Sequence, residues 1–185
     1  MGIAVYAVDP RNLNAVMDTM LELGQLLGVG SRAEAIVATM AERVEHVESQ
    51  LADVDHRPGV FFQIGISPIV SAGTPTFIHE LIVMAGGTNL AQGSTPYPRF
   101  SKEQVIGMWP EVMIITSMAR ETVFDKVKAD WQQWKDIPAV KNDRIHLVDS
   151  DIVDRASPRL VEGLEILAQL IHPDRFKVKD ADVKP

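Results

Sequence analysis

The chain has 185 residues, of which 46% are hydrophobic and 23% charged, and its formal net charge is −7. This composition is typical of one folded domain, or of one domain with an attached piece of another. The negative charge argues against nucleic acids and anionic membranes as partners, because both bind basic surfaces. Cysteine is absent, which excludes thiolate catalysis, disulfides, iron–sulfur clusters and cysteine-ligated zinc.

The first 30 residues predict a strand followed by a helix. Ile3 to Val8 is a short, apolar, β-prone run and predicts a buried strand. Asp9 and Pro10 then predict the N-cap and first residue of a helix that Gly28 and Gly30 end. No secretory signal precedes this strand, so we expect either a cytoplasmic protein or a piece of a longer chain.

A long helix follows from Arg32 to Val54. Ser31 and Glu34 predict a capping box at its start. At about 1.5 Å per residue it would extend roughly 34 Å. A helix of this length, with one apolar and one charged face, suits a stiff connector between two parts of a protein.

The remaining chain alternates predicted strands with predicted helices. Ser157 and Pro158 predict the N-cap and first residue of the last helix. Apolar strands in this alternation predict an α/β fold, a parallel sheet flanked by helices and preceded by the connecting helix. The predicted elements are strands 60–66, 112–116 and 145–148, and helices 75–85, 101–108, 121–134 and 158–171.

Two loops at the carboxyl ends of the predicted strands could form a binding surface, because ligands of parallel α/β sheets sit there. The loop 65–73 is rich in small residues and carries no charge. It is either a smooth wall for a large apolar ligand or an ordinary connection. In the loop 93–100, two prolines flank Tyr97. This tyrosine is either a rigid contact for a planar ligand or a cover for its own loop.

A third loop, 149–159, is charged. Asp151 and Arg155 could offer a paired acceptor and donor to a polar ligand. The alternative is a local cluster of caps and salt bridges. Asp149, Asp151 and Asp154 could also bind a hard cation, although their spacing does not match a calcium loop.

Catalytic signatures are missing from the sequence. It contains no Gly-x-Ser-x-Gly, Walker-type, Gly-x-Gly-x-x-Gly or His-Glu-x-x-His motif, and its five histidines are scattered. We therefore expect a binding protein that needs no cofactor and no resident metal. An enzyme on a doubly wound sheet and a non-transport interaction module are the rival interpretations.

Five segments of the chain carry a family resemblance through their order and spacing. They are Gly65–Pro68, Glu80–Asn89, Tyr97–Val105, Pro110–Ile115 and Arg155–Leu160. Together they make the run from Phe61 to Phe176 resemble the C-terminal lobe of the helical-backbone (class III) periplasmic binding proteins. That family serves the ABC importers of ferric siderophores, haem and vitamin B12.

The resemblance implies a division of the chain. Residues 1–30 would be the last βα unit of an N-terminal lobe that is otherwise missing, and 31–56 the helix between the lobes. Residues 57–176 would be the C-terminal ligand-binding lobe, and 177–185 a polar, flexible tail. It also implies a periplasmic protein or an extracytoplasmic lipoprotein.

The resemblance also implies the ligand. In vitamin B12 binders an aromatic stands at the position of Tyr97, and an aspartate and an arginine stand at those of Asp151 and Arg155. Val70 and Ile152 replace other aromatics of that pocket, which favours a ferric chelate and leaves a corrinoid as the alternative. The expected ligand-binding residues are Ser67, Val70, Tyr97, Arg99, Asp151, Ile152 and Arg155.

The family docks on its permease through an acidic residue on each lobe. The matching residue is Glu103, in the first turn of a helix capped by Ser101 and Gln104. The resemblance thus predicts a substrate-binding component that delivers a metal chelate to an ABC transporter permease, without chemistry of its own.

Overall fold

The computed structural model describes residues 5–117 and 121–176. The strands in these ranges are β1 Gly59–Gln63, β2 Gly65–Ile66, β3 Ile69–Val70, β4 Thr88–Asn89, β5 Arg99–Phe100, β6 Val112–Ser117 and β7 Ile145–Asp149. The helices are α1 Leu13–Leu26, α2 Gly30–Leu51, α3 Phe77–Met84, α4 Lys102–Gly107, α5 Glu121–Trp131, α6 Pro138–Lys141, α7 Ser150–Val153 and α8 Leu160–Ile171.

Four strands form a parallel sheet in the order β4-β1-β6-β7. The two central strands are apolar on both faces, and Phe61, Phe62 and Ile114 are fully buried. Continuous apolar strands of this kind are expected where helices cover both faces of a sheet. The predicted parallel α/β fold is confirmed.

Two apolar clusters fill the space on either side of the sheet. Phe62 and Ile114 belong to the cluster under α2, α3 and α8. Phe61 and Met113 point the other way, into the cluster under α4, α5 and α6. Trp131 of that second cluster satisfies its indole N–H by donating to Oε1 of buried Gln63, at 3.0 Å.

The predicted long helix is α2, which packs on both α1 and α8. Met40, Val47 and Leu51 are its large buried residues. Arg43 reinforces the contact with α8 by donating to both carboxylate oxygens of Glu165, at 2.8 and 2.6 Å. No helix in the described part of the chain is both long and apolar enough to cross a membrane.

The predicted start of α2 is wrong. The helix begins at Gly30, its N-cap is Val29, and no side chain caps it. Gly28 adopts a φ of +68°, and the Val29 N–H donates to the Gly24 carbonyl, so a tight turn from α1 leads directly into α2. The predicted capping box of Ser31 and Glu34 therefore does not form, and the helix ends at Leu51 rather than Val54.

The predicted first strand is also wrong for the residues that can be described. Residues 5–8 have no regular structure and Val5 is 85% exposed, whereas Ile3 and Ala4 lie outside the described residues. The N-cap of α1 is Asn12 instead of Asp9, since its Oδ1 accepts from the Ala15 N–H at 2.7 Å.

Several other boundaries move by a few residues. The predicted strand 60–66 divides into β1 and β2 around Ile64. The last helix begins at Leu160, after an N-cap at Arg159, instead of at Pro158. Ser157 caps only locally, because its hydroxyl accepts from the Arg159 N–H at 3.3 Å. The predicted tail, 177–185, lies outside the described residues.

Candidate functional site

The loops that follow β1 and β4 meet at the carboxyl edge of the parallel sheet. β1 runs on into the β2–β3 hairpin, and β5 pairs antiparallel with β3. Ile69 lies opposite Phe100, and Val70 lies opposite Arg99. A second, three-stranded sheet, β2-β3-β5, therefore joins two of the three loops predicted from the sequence.

Backbone hydrogen bonds extend this pairing beyond the strands. The N–H groups of Ser71, Gly73 and Thr74 donate to carbonyls in the segment 93–98, at 2.8 to 3.0 Å. The Gly93 N–H returns a bond to the Thr74 hydroxyl at 3.1 Å. We call the paired segments 71–74 and 93–98 the loop zipper. It fixes the backbone on both sides of Tyr97.

Glycine at position 73 is a steric requirement of the loop zipper. A Cβ on Gly73 would lie 2.0 Å from the carbonyl oxygen of Thr95, far inside van der Waals contact. The small residues of this loop, which the sequence suggested as a smooth wall, thus allow two backbones to approach closely.

Tyr97, Arg99 and Val70 lie on one face of the small sheet. Phe100 points into the core, where its ring meets Phe61 edge-on with centroids 5.8 Å apart. Because side chains alternate along an extended strand, Arg99 and Tyr97 point away from that core. Tyr97 is 54% exposed, Arg99 is exposed and Val70 is half-buried.

Ser67 lies beside this face, in the turn between β2 and β3, and its side chain is exposed. The structure thus brings four of the seven predicted ligand-binding residues to one end of the sheet. Their contact with a ligand stays a prediction.

Asp151 and Arg155 lie at the carboxyl end of β7, on and just after α7. Asp149 caps α7 by accepting from the Asp151 N–H at 2.8 Å. Arg155 pairs with Asp151 at 3.1 Å, and both side chains are more than half exposed. Exposed pairs of this kind are weak, worth about 0–1 kcal/mol. Both groups can therefore exchange this bond for one to a polar ligand.

Ile152 is a correction to the predicted set. Its side chain is only 8% exposed and belongs to the apolar core beneath α8, near Gly163. The single turn of α7 turns this residue inward, away from the surface that carries Asp151. It supports the site from below and presents no surface to a ligand.

Asp154 has the most perturbed environment at this edge. Burial raises the pKa of its carboxyl group to about 6, the charge of Asp149 adds to the rise, and the nearby Thr116 hydroxyl opposes it. Its Oδ1 and the Thr116 hydroxyl are buried without a hydrogen-bond partner of normal geometry in the described structure. From the sequence, Asp154 is considered only as one member of a possible cation site, and its burial follows from the fold.

The three aspartates of the third loop do not form the hard-cation site that the sequence allows as an alternative. In the described ranges 5–117 and 121–176, no three metal-ligating side chains converge on a point. Asp149 is used as a helix cap, Asp151 pairs with Arg155, and Asp154 is turned into the protein.

The two exposed groups occupy the same edge of the sheet. The Tyr97 group follows β1 and β4, and the Asp151–Arg155 pair follows β7. At about 4.8 Å per strand, β7 lies roughly 10 Å from β1 and roughly 14 Å from β4. Only β6 ends between β1, which leads into the Tyr97 group, and β7, and residues 118–120 after β6 lie outside the described part. The described residues show no hydrogen bond or ion pair from the Tyr97 group to the Asp151–Arg155 pair. Each group would contact a ligand separately.

Glu103 is exposed in the first turn of α4, four residues after Arg99. The predicted capping box is confirmed, because Ser101 and Gln104 cap each other's backbone N–H groups. The Ser101 hydroxyl, the backbone N–H of Glu103 and the charge of Lys102 lower the pKa of the Glu103 carboxyl. Glu103 thus presents a stable negative charge.

Comparison with known proteins identifies the family. The profile of the family described as periplasmic binding protein matches residues 1–152. The chain belongs to the periplasmic binding protein family. This confirms the resemblance, and a family of binding proteins agrees with the expectation that the chain is not an enzyme.

Curated relatives of this periplasmic binding protein are longer than the chain. An uncharacterised ABC transporter substrate-binding lipoprotein of Bacillus subtilis is 28% identical over 180 residues, which are 95% of this chain and 56% of the relative. A vitamin B12-binding protein of Salmonella choleraesuis is 26% identical over 162 residues, 87% of this chain and 58% of the relative. The chain thus spans little more than half the length of these relatives.

Solved structures of the family have the same fold. A candidate iron-binding solute-binding protein of Staphylococcus epidermidis superposes with a TM-score of 0.79 at 27% identity, covering 91% of this chain and 66% of that one. The haem-binding protein RhuT of Roseiflexus gives a TM-score of 0.78 at 25% identity, with the same coverage. The vitamin B12-binding protein of Vibrio cholerae, at 23% identity and a TM-score of 0.77, matches in fold, over 93% of this chain and 66% of that one.

Proposed function

We propose that this chain is the C-terminal lobe and connecting helix of the substrate-binding component of an ABC importer, and that it binds a metal chelate such as a ferric siderophore. The observation that carries the proposal is the exposed Tyr97, held by the loop zipper at the sheet edge that also carries Asp151 and Arg155. The names of similar proteins point to the same ligand class, since they specify binding of iron, haem or vitamin B12.

Binding would need no chemistry. Tyr97 and Val70 offer apolar contact, which supplies most of the affinity for a large ligand, whereas Arg99, Asp151 and Arg155 offer charges that orient it. A chelate broad enough to touch both groups would be held at two places along this edge of the sheet. Tyr97 has two rotatable side-chain bonds and lies between fixed backbone segments, so little entropy is lost on contact.

The division of the chain into lobes is part of the proposal. Residues 1–30 would belong to an N-terminal lobe, 31–56 to the connector and 57–176 to the ligand-binding lobe. The length of the relatives supports this, and so does an apolar surface on the first 30 residues. Four of its large apolar side chains are exposed to solvent, which favours a covering partner: Val5 85%, Leu26 62%, Leu27 73% and Val29 48%.

Glu103 would contact the permease, and the protein would act outside the cytoplasm, in the periplasm or as a lipoprotein. A charge at the rim of an interface steers association and fixes its register. The exposed position and lowered pKa of Glu103 support this role, and a lipoprotein is the name given to the Bacillus relative.

A corrinoid is the second candidate ligand. The vitamin B12-binding relatives favour it, and Tyr97 can cover a corrin ring as well as a ferric chelate. The inward position of Ile152 removes one of two residues that argued against a corrinoid pocket, which leaves Val70 as the remaining departure.

Titration calorimetry with ferrichrome, haemin and cyanocobalamin tests the proposal. It should be run on the 185-residue chain and on the product of its gene with any upstream coding sequence included. Tyr97→Ala and Arg155→Ala should each weaken binding of the preferred probe about tenfold or more, without loss of helicity. Trp134→Ala and Arg175→Ala are matched controls, since both residues are exposed and distant in sequence from the loops.

Absence of binding of all three probes by the longer product would refute a chelate-binding role. Equal affinity of Tyr97→Ala, Arg155→Ala and the wild type would refute the site.

A further inference from the structure

Asn89, the last residue of β4, is buried beneath the loop zipper with 1% of its surface exposed. Its Nδ2 donates to the carbonyl oxygen of Ala72 at 2.8 Å and lies 3.1 Å from Nδ1 of His79. Its Oδ1 accepts from the backbone N–H of Ala91 at 3.0 Å. A single side chain thus joins the first loop, the residues just before the second loop and the first turn of α3.

The partners fix the orientation of the Asn89 amide. The Ala72 carbonyl can only accept, so it requires the NH₂ group, and the Ala91 N–H can only donate, so it requires the oxygen. The second N–H of the amide then meets Nδ1 of His79, which must be the acceptor. This hydrogen bond requires the His79 tautomer that carries its proton on Nε2. Aspartate, which has no donor when ionised, cannot replace asparagine here.

The two backbone partners of Asn89 lie at the bases of the zipped segments. Ala72 is within 71–74, and Ala91 lies two residues before Gly93, where the second segment starts. A movement of either base would change the register of the hydrogen bonds around Tyr97. Both bases are buried, so water cannot readily replace a lost bond.

We propose that Asn89 is a positioning residue for the ligand site: it holds the two loops together from below and so sets the orientation of Tyr97. This inference rests on the proposed function for its consequence in ligand binding, and on the structure alone for the loop geometry. Sequence patterns give no sign of it, because the three contacts come from residues 2, 10 and 17 positions away.

The loop geometry can be tested without any ligand. The chain has two tyrosines, so labelling with 3-fluorotyrosine gives two ¹⁹F resonances, and Tyr6→Phe identifies that of Tyr97. Asn89→Ala and the nearly isosteric Asn89→Asp should both shift or broaden the Tyr97 resonance. Leu167→Ala, a cavity variant in α8 that also destabilises the fold, should leave it unchanged. If Asn89 only fills space, Asn89→Asp should resemble the wild type, and that result would overturn the proposal.

A measurement on the wild type keeps the proposal testable should the variants not fold. Two-bond ¹H–¹⁵N spectra should show Nδ1 of His79 as an unprotonated nitrogen at pH 8. A proton on Nδ1 would mean that the contact with Asn89 is absent, which contradicts the proposed network.

Ligand binding completes the test. In the product that binds ferrichrome, haemin or cyanocobalamin, Asn89→Asp should reduce affinity for that probe about tenfold, and Leu167→Ala should not. A changed Tyr97 resonance with no binding of any probe by the wild type would support the positioning role and reject the proposed function. A changed resonance with wild-type affinity in Asn89→Asp would overturn the link between loop geometry and binding.

Discussion

Asp154→Asn should stabilise the protein at neutral pH and have little effect in acid. Burial raises the pKa of the Asp154 carboxyl group from the ordinary 3.8 to about 6. The folded protein therefore binds a proton more tightly at this site than the unfolded chain does. Stability contributed by the protonated form is full below pH 3.8 and is lost as the pH rises through about 6.

The size of the effect follows from the same values. The folded pKa lies roughly two pH units above the ordinary value, and at about 1.36 kcal/mol per pH unit this corresponds to about 3 kcal/mol. The side chain is partly exposed, so solvent screening reduces the figure, and we expect about 1–2 kcal/mol. Asparagine keeps the shape of the side chain and cannot ionise, so it avoids this cost at every pH.

Urea denaturation followed by circular dichroism measures the difference. The free energy of unfolding of Asp154→Asn minus that of the wild type should rise between pH 4.5 and pH 7 and then stay constant. Asp125→Asn, on an exposed position of α5, is the control and should show no such rise. A difference that is independent of pH, or that falls as the pH rises, would refute the assignment of a buried carboxyl group at position 154.

Three further predictions concern the loops, the last helix and the transporter. Gly73→Ala should cost about 2 kcal/mol or more in urea denaturation, because its Cβ would collide with the Thr95 carbonyl, whereas Gly107→Ala, in open space, should be neutral. Arg144→Ala should cost about 1–3 kcal/mol, since Nη2 donates to the last two carbonyls of α8 at 2.9 and 2.7 Å, and lysine should restore part of it. Glu103→Arg should leave chelate affinity unchanged but abolish stimulation of the importer's ATPase in proteoliposomes; full stimulation would remove the docking role.

The parallel sheet could be predicted because its signals are local. The central strands are apolar runs bounded by breakers, as in Val112–Ser117, and they alternate with helices that glycines end, as at Gly86. Parallel strands then bring their carboxyl ends to one edge, whatever the details of the connections. This is why the loops of Tyr97 and of Asp151 could be assigned to one edge before their structure was known.

The wrong predictions share a cause, which is that local patterns do not report the tertiary partner. The apolar side chains at residues 5–8 favour burial and so predicted a strand. A strand forms only where another strand can hydrogen-bond to it. Ser31 and Glu34 match a capping box, but the tight turn at Gly28 starts α2 earlier. Asp154 lies in a charged loop of the sequence, and only the fold buries it and raises the pKa of its carboxyl group.

The site itself depends on contacts that leave no pattern in the sequence. The loop zipper consists mainly of backbone hydrogen bonds between segments about 20 residues apart. What it requires of the sequence is chiefly that position 73 has no Cβ. Asn89 adds a buried side chain that bonds to Ala72 in the first loop and to Ala91, two residues before the second loop. Rigidity of the Tyr97 platform is thus set from beneath, by the fold.

If the proposed site is right, this arrangement would separate affinity from specificity. In the proposed site, the zipped loops and Asn89 hold an apolar platform in place, so Tyr97 would meet many flat or bulky ligands at little entropic cost. The charged groups are exposed and weakly paired, as at Asp151 and Arg155, so they can change in sequence without disturbing the platform. Relatives that bind haem, iron or vitamin B12 would then differ mainly in such peripheral side chains. Exchange of Arg99 and Arg155 for glutamate should accordingly change which of the three probes binds best, while the ¹⁹F resonance of Tyr97 in the unliganded protein stays in place.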